Sequence, residues 1–182
     1  MTTIETIKSR RSPEKFNSQS INEQDIATII ETGNYAPIFG NIHFTVIKNK
    51  ELIKTIDSIT IEMMKQSNNE FAVKMANTKG YSATRNAPVA IVLSALNGND
   101  PQGFNMANVS LASENMILAA TELKISSRFV MGPVLALNQE PVKSKINLPE
   151  GYVPLVMILL GYSDNDFKQR NKDIKNINYI KG

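Results

Sequence analysis

Two basic clusters far apart in the chain are the residues best suited to chemistry. Arg10-Arg11-Ser12 joins two guanidiniums to a hydroxyl beside a short helical segment. The Arg fork matches phosphate oxygens and does not lose its proton, so the triplet suits a phosphate; taken alone, it reads more simply as a solvated basic turn. Lys168 and Arg170, in DFKQR, are a second basic pair that by itself reads as surface. The loop Ala36-Pro37-Ile38-Phe39-Gly40-Asn41 carries an apolar Phe39, more often core cover than a lid over a ligand. Asn108 and Asn115 share one face of a helical pattern, and buried asparagines need partners. A helix–loop tie or a subunit contact would serve. Val130, Met131 and Gly132 end a strand pattern, where backbone N–H groups either meet a ligand or only form a turn.

Other chemistries are excluded or unsupported. There is no cysteine and a single histidine, His43, so thiolate catalysis, disulfides, iron–sulfur clusters and multi-His metal sites have no ligands. No Ser-His-Asp set goes beyond His43 itself, and neither GxGxxG nor GxxxxGK[ST] occurs. A nucleotide cofactor must then be gripped by side chains. The net charge of +3 is too mild for nucleic acid and no basic run is present. The opening MTTIETIKSRRSPEKF has no apolar core, and Val153 to Leu160 is too short to span a bilayer. A cytoplasmic protein with no membrane and no nucleic-acid partner is the expectation.

The elements that must position these residues can be read from pattern. A length of 182 residues suits one domain, 1–182, with no internal repeat or dividing linker. Thr3 to Ser9 reads as a helix. Asn22 caps a second, with Ile21 and Ile26 as its staple and Gly33 as its C-terminal cap. Phe44 to Lys48 reads as a strand. Helical patterns follow over Glu51 to Lys65 and Glu70 to Ala76. Pro88 to Leu96 and Val153 to Leu160 are near-continuous apolar runs, as expected of strands covered on both faces. Gly98 to Gly103, with Pro101, is a polar loop. Phe104 to Leu123 is apolar around most of its circumference, the mark of a central helix packed by several neighbours or by a partner subunit. Ser127 to Met131 reads as a short strand and Val142 to Ile146 as a helical turn or two. The polar tail ends in an apolar group, Ile177, Tyr179 and Ile180. Strands alternating with helices point to an α/β or α+β domain with a layered sheet.

Taken in order, several segments resemble the FMN-dependent nitroreductase family. SRRSPEKF is similar to its opening Arg-Arg-Ser signature, and APIFGNIHFTVIKN to its Ala-Pro-Ser-x-x-Asn loop and following strand. RNAPVAIVLSA resembles the second-strand Ala-Pro signature, and NVSLASENMILAATELKISSRFV the central helix. GYVPLVMILLGY followed by Lys-Gln-Arg resembles the last core strand and basic tail. The resemblance implies an α+β, three-layer α/β/α fold, with a central mixed sheet flanked by helices, and a homodimer with FMN at the interface. Arg10, Arg11 and Ser12 would hold the phosphate and ribityl chain, joined by Lys168 and Arg170. Pro37, Ile38, Phe39 and Asn41 would come from the other subunit, and Val130, Met131 and Gly132 would face the reactive edge of the flavin. It implies two half-reactions at one site: NAD(P)H reduces the flavin, and an electron-poor acceptor such as a nitroaromatic or quinone reoxidises it. The flavin carries the chemistry, so no catalytic side chain and no metal is implied.

The departures are also legible. Glu14 stands where the resemblance implies a cation near flavin N1 and O2, which predicts a lowered reduction potential unless Lys15 substitutes. Ile38 and Phe39 replace small residues, and the loop is shortened after Asn41. Asn108 replaces an Asp, and Lys124 and Ser126 replace glycines. The altered loop 38–44 leaves an alternative open, a flavin-binding module with little turnover.

Overall fold

The structure is a computed structural model and describes residues 1–98, 100, 103–164, 166–173 and 175–180. Pro101, in the expected polar loop, lies outside the described residues.

The two apolar runs form the middle of the sheet. Strand β2 (Val89–Leu96) pairs with β4 (Tyr152–Gly161), β1 (Ile42–Ile47) lies outside β2, and β3 (Ser126–Val130) lies outside β4, giving the order β1-β2-β4-β3. Side chains on a strand alternate between faces, and here both faces are apolar. Val89, Ile91, Leu93, Val156, Ile158 and Leu160 face one core cluster. Ala90, Val92, Met157 and Leu159 face the other. Pro154 cannot donate to the ladder, and the register shifts between Leu93 and Ser94, opposite it.

Helices cover both faces, which gives the expected α+β, three-layer arrangement. On the first face lie α2 (Glu23–Asn34) and α5 (Phe104–Glu122), contributing Ile26, Ile29, Val109, Met116 and Ile117. On the second lie α3 (Lys50–Lys65), α6 (Val134–Leu137) and α7 (Val142–Ile146). Helix α4 (Glu70–Ala76) follows α3, and α1 (Thr3–Ser9) packs on α5. The described strands pair antiparallel throughout, where a mixed sheet was expected. Two connections join antiparallel neighbours, β1 to β2 through α3 and α4 and β3 to β4 through α6 and α7, while α5 carries the chain from β2 past β4 to β3.

The staple reading of α2 holds. Asn22 accepts from the Asp25 N–H at 2.7 Å, and Ile21 and Ile26 are buried. Gly33, expected as the cap, lies inside the helix instead, with Tyr35 as the C-cap. A Cβ at 33 would stand 3.0 Å from Met116 Sδ and 3.1 Å from the Phe44 ring, so the glycine serves close approach of α2 to α5 and β1. Ile177, Tyr179 and Ile180 are exposed and carry no strand.

Candidate functional site

The two basic clusters meet. Arg10 is the C-cap of α1, and its guanidinium donates to Ser12 Oγ at 2.9 Å. The Arg11 guanidinium donates to the carbonyls of Ser9 (3.0 Å), Arg10 (3.2 Å) and Lys168. The Arg170 N–H donates to the Lys8 carbonyl at 3.1 Å, and its guanidinium to that of Arg10 at 2.9 Å. The tail therefore folds back along residues 8–11, and Arg10, Arg11, Lys168 and Arg170 share one corner of the molecule. The Lys168 ammonium is 2.9 Å from the Asp166 carboxylate. That bond raises the Lys168 pKa and lowers that of Asp166, so both stay charged at neutral pH. Four cations against one acid leave an exposed positive surface rich in forked donors, which is what a phosphate requires.

Past this corner the chain runs against β3. Arg128 donates to the Pro13 carbonyl at 2.8 Å and to the Glu14 carboxylate at 3.0 Å. Arg85 reaches the other Glu14 oxygen at 3.6 Å and stacks 4.8 Å from the centre of the Tyr81 ring. The hydrogen bond from Arg128, with the charges of Arg128 and Arg85, holds Glu14 below the usual carboxylate range. Arg85 and Asn86 both have positive φ, 55° and 57°, and the Arg85 carbonyl accepts from the Phe16 N–H at 3.0 Å. Consecutive non-glycine residues in this region are strained and persist only where their surroundings dictate it. Neither Arg85 nor Arg128 was singled out from sequence. The available signal was a charge in the middle of the short strand pattern SSRFV.

Val130, Met131 and Gly132 close β3 and lead into α6. Met131 is exposed, its carbonyl accepts from the Val134 N–H at 3.1 Å, and a Cβ at Gly132 would meet open space. This strand end is accessible and sits on the same element as Arg128.

The loop expected to close over a ligand lies elsewhere. Asn108, buried on α5, accepts from the Phe39 N–H at 3.0 Å and donates to the Phe39 carbonyl. This is a helix–loop tie. Asn115 does the same for α2, donating to the Thr32 carbonyl at 3.2 Å. Ile38 packs on the core, Pro37 and Asn41 are exposed, and the exposed Phe39 ring lies 6.0 Å from that of Phe104. The basic corner is anchored at the other end of α5, where Glu122 accepts from Thr6 Oγ1 at 2.7 Å. Asn108 and Glu122 are 14 residues apart, roughly 21 Å along the helix. Within one chain the structure brings Arg10, Arg11, Ser12, Lys168 and Arg170 together but keeps loop 37–41 at the far end of α5.

His43 packs edge-on to Tyr152 at 5.7 Å, and among the described residues no cluster of His, Asp or Glu could hold a metal. No described helix is long and apolar enough to cross a membrane.

Comparison with known proteins places these observations. The sequence model of the Nitroreductase family matches residues 7–162. A protein of Methanothermobacter thermautotrophicus, provisionally named NADH dehydrogenase/NAD(P)H nitroreductase, is 26% identical over 167 residues, which is 89% of this chain and 78% of that one. Among solved structures, a nitroreductase from Bacteroides fragilis with bound FMN superposes with a TM-score of 0.83 at 24% identity, covering 100% of both chains. One from Desulfitobacterium hafniense, also with bound FMN, reaches 0.86 at 22% identity and 98% of both.

Proposed function

On the premise that the chain belongs to the nitroreductase family, we propose that it is an FMN-dependent oxidoreductase passing electrons from NAD(P)H to nitroaromatic, quinone or related electron-poor acceptors. The observation that carries this reading is the convergence of Arg10, Arg11 and Ser12 with Lys168 and Arg170. The donor set fits FMN: a dianionic phosphate meets several forked cations, and the accessible backbone at Val130, Met131 and Gly132 suits a flat polar ring.

In this reading Arg10, Arg11, Lys168 and Arg170 hold the phosphate, and Ser12 adds a hydroxyl donor. Strand end 130–132 supports the ring. Bound FMN supplies two-electron transfer between NAD(P)H and the acceptor, so the side chains bind, orient and exclude water rather than trade protons. The separation along α5 bears on assembly. Loop 37–41 meets the same FMN most simply when it comes from a second copy, so the working form is a homodimer. The exposed Phe104, Leu111, Ile4 and Ile7 on α5 and α1 give that second copy an apolar surface to cover.

One observation favours the second reading, a flavin-binding module with little turnover. Phe39 is 76% exposed on a loop that Asn108 fixes in place, so its ring would stand in the way of a nicotinamide. The visible spectrum of the purified protein, before and after anaerobic NADPH or NADH, separates the readings. Flavin bands that bleach establish the oxidoreductase. Bands that persist leave the module. No flavin after soaking with FMN removes both.

A further inference from the structure

We infer that Arg128, seconded by Arg85 and oriented by Glu14, supplies the positive charge for the pyrimidine edge of the bound flavin. The inference rests on the FMN reading above and concerns residues outside the phosphate corner.

Three observations carry it. The first is charge. The Arg85 and Arg128 side chains are only 13% and 22% exposed, and the Glu14 carboxylate they share is 79% exposed. Two largely buried cations against one surface anion leave a net positive charge in a poorly hydrated place, and Arg85 Nε is buried with no hydrogen-bond partner among the described residues. Buried cations left short of partners are costly, and an electron-rich group beside them would relieve that cost. The second is position. Arg128 lies two residues before Val130 on β3 and donates to the carbonyl of Pro13, the residue after Ser12. It bridges the segment assigned to the phosphate and the segment assigned to the ring. The third is chemistry. Reduced flavin gathers negative charge over N1 and the C2 carbonyl, and a planar fork that cannot lose its proton stabilises that charge.

Glu14 then takes a different role from the one its place in the sequence suggests. Its carboxylate turns to Arg128 and Arg85 and fixes their forks, so it is a positioning residue. The cation missing at position 14 is supplied from β3 and from the turn before β2.

The test compares wild type, Arg128→Gln, Arg128→Lys and the double variant Arg128→Gln/Glu14→Gln. The readouts are the FMN dissociation constant of the oxidised protein and the two-electron midpoint potential. Arg128→Gln is expected to weaken reduced FMN about tenfold more than oxidised FMN, a fall of about 30 mV. Arg128→Lys is expected to restore at least half of that fall. The double variant is decisive. It removes both partners, so no lone carboxylate is left to distort the result, and it remains a test if the single variant does not fold. A potential still below wild type in the double variant shows that Arg128 outweighs Glu14 at the flavin. A double variant at or above wild type means that Arg128 only neutralises Glu14, and overturns the inference while leaving FMN binding intact. A wild-type protein that binds no FMN overturns the inference together with the reading beneath it.

Discussion

The middle of the molecule and its basic corner are built on opposite rules. Around β2, β4 and α5 the chain satisfies itself: apolar side chains fill both faces of the sheet, and Asn108 and Asn115 find backbone partners. At the corner formed by residues 8–12 and 166–170, polar groups are in excess. Cations outnumber acids, and guanidiniums are held by backbone carbonyls. The first region is what folding requires, and the second is what the proposed phosphate site would require. Substitutions in the two regions should therefore be read by different measurements, stability for one and affinity for the other.

The largest expected effect tests the self-sufficiency of the interior. A Cβ at Gly161, the end of β4, would stand 2.7 Å from Pro88 Cδ and 2.8 Å from Phe16 Cδ1. Both neighbours are ring carbons in packed positions and cannot swing aside. Gly161→Ala should cost about 3 kcal/mol, as overpacked cores do, which for this length is a fall in Tm of about 6–12 °C. Chemical denaturation checks the value. A loss below about 1 kcal/mol would mean that the contact between residues 16, 88 and 161 is loose, and the contrast with the corner would weaken.

The next effect tests the corner. Among the described residues the Arg10 side chain hydrogen-bonds Ser12, on an exposed surface. Arg10→Ala should leave Tm nearly unchanged, as surface substitutions do. It should weaken FMN about 30-fold, or about 2 kcal/mol, the usual loss for a hydrogen bond to a charged group. Titration of the apoprotein by flavin fluorescence, at two salt concentrations, reads it. Unchanged affinity returns Arg10 to the solvated turn that its local sequence resembles.

How legible each region was follows from the same contrast. Near-continuous apolar runs mark β2, β4 and α5, and an apolar stripe marks α3, because burial on both sheet faces, around a central helix or along one helix face leaves its pattern in the sequence. The corner leaves no period. Arg10 to Ser12 and Lys168 with Arg170 are separated by most of the chain, and only the family resemblance gave a reason to join them. Arg128 and Arg85 were missed for a related reason. An arginine in a strand or before an Ala-Pro step looks like any solvated arginine until the fold buries it. The expectation for Glu14 changes in the same way, since its two partners come from β3 and the turn before β2. Gly33 was misread because a glycine near a helix end suggests a cap, whereas this one is set by Met116 and Phe44 across the core.

A smaller effect sits at the border between the regions. Glu14 has an ordinary pKa of 4.5, and the hydrogen bond from Arg128 holds it lower in the folded protein. A depressed carboxylate pKa contributes stability above the unfolded value, and that contribution is lost as pH falls through the folded value. Wild type should therefore exceed Glu14→Gln in stability at pH 6–7, and the gap should close as pH falls below about 4.5. Because the Glu14 side chain is 79% exposed, the gap should stay under about 1 kcal/mol. A gap that widens in acid would place the carboxylate away from Arg128.

The smallest effect lies where the interior hands the chain to the corner. Helix α5 ends in a Schellman closure, with the Lys124 N–H on the Thr121 carbonyl at 3.1 Å and the Ile125 N–H on that of Ala120 at 2.8 Å. The closure puts Lys124 at φ 60°, the conformation glycine adopts freely and L side chains resist. Lys124 also holds its ammonium 5.6 Å from the centre of the Phe167 ring, on the tail that carries Lys168. Lys124→Gly relieves about 1 kcal/mol of strain and gives back roughly half of it as chain entropy and lost ring contact. A net gain near 0.5 kcal/mol is expected, with FMN affinity unchanged. Lys124→Ala makes the test sharper, since it loses the ring contact and keeps the strain. Inside a helix Ala exceeds Gly by about 1 kcal/mol, whereas at 124 the order should reverse. If Ala matched or exceeded Gly here, position 124 would not be left-handed in the folded protein. The turn that carries α5 into β3, and with it Arg128, would then need a different geometry.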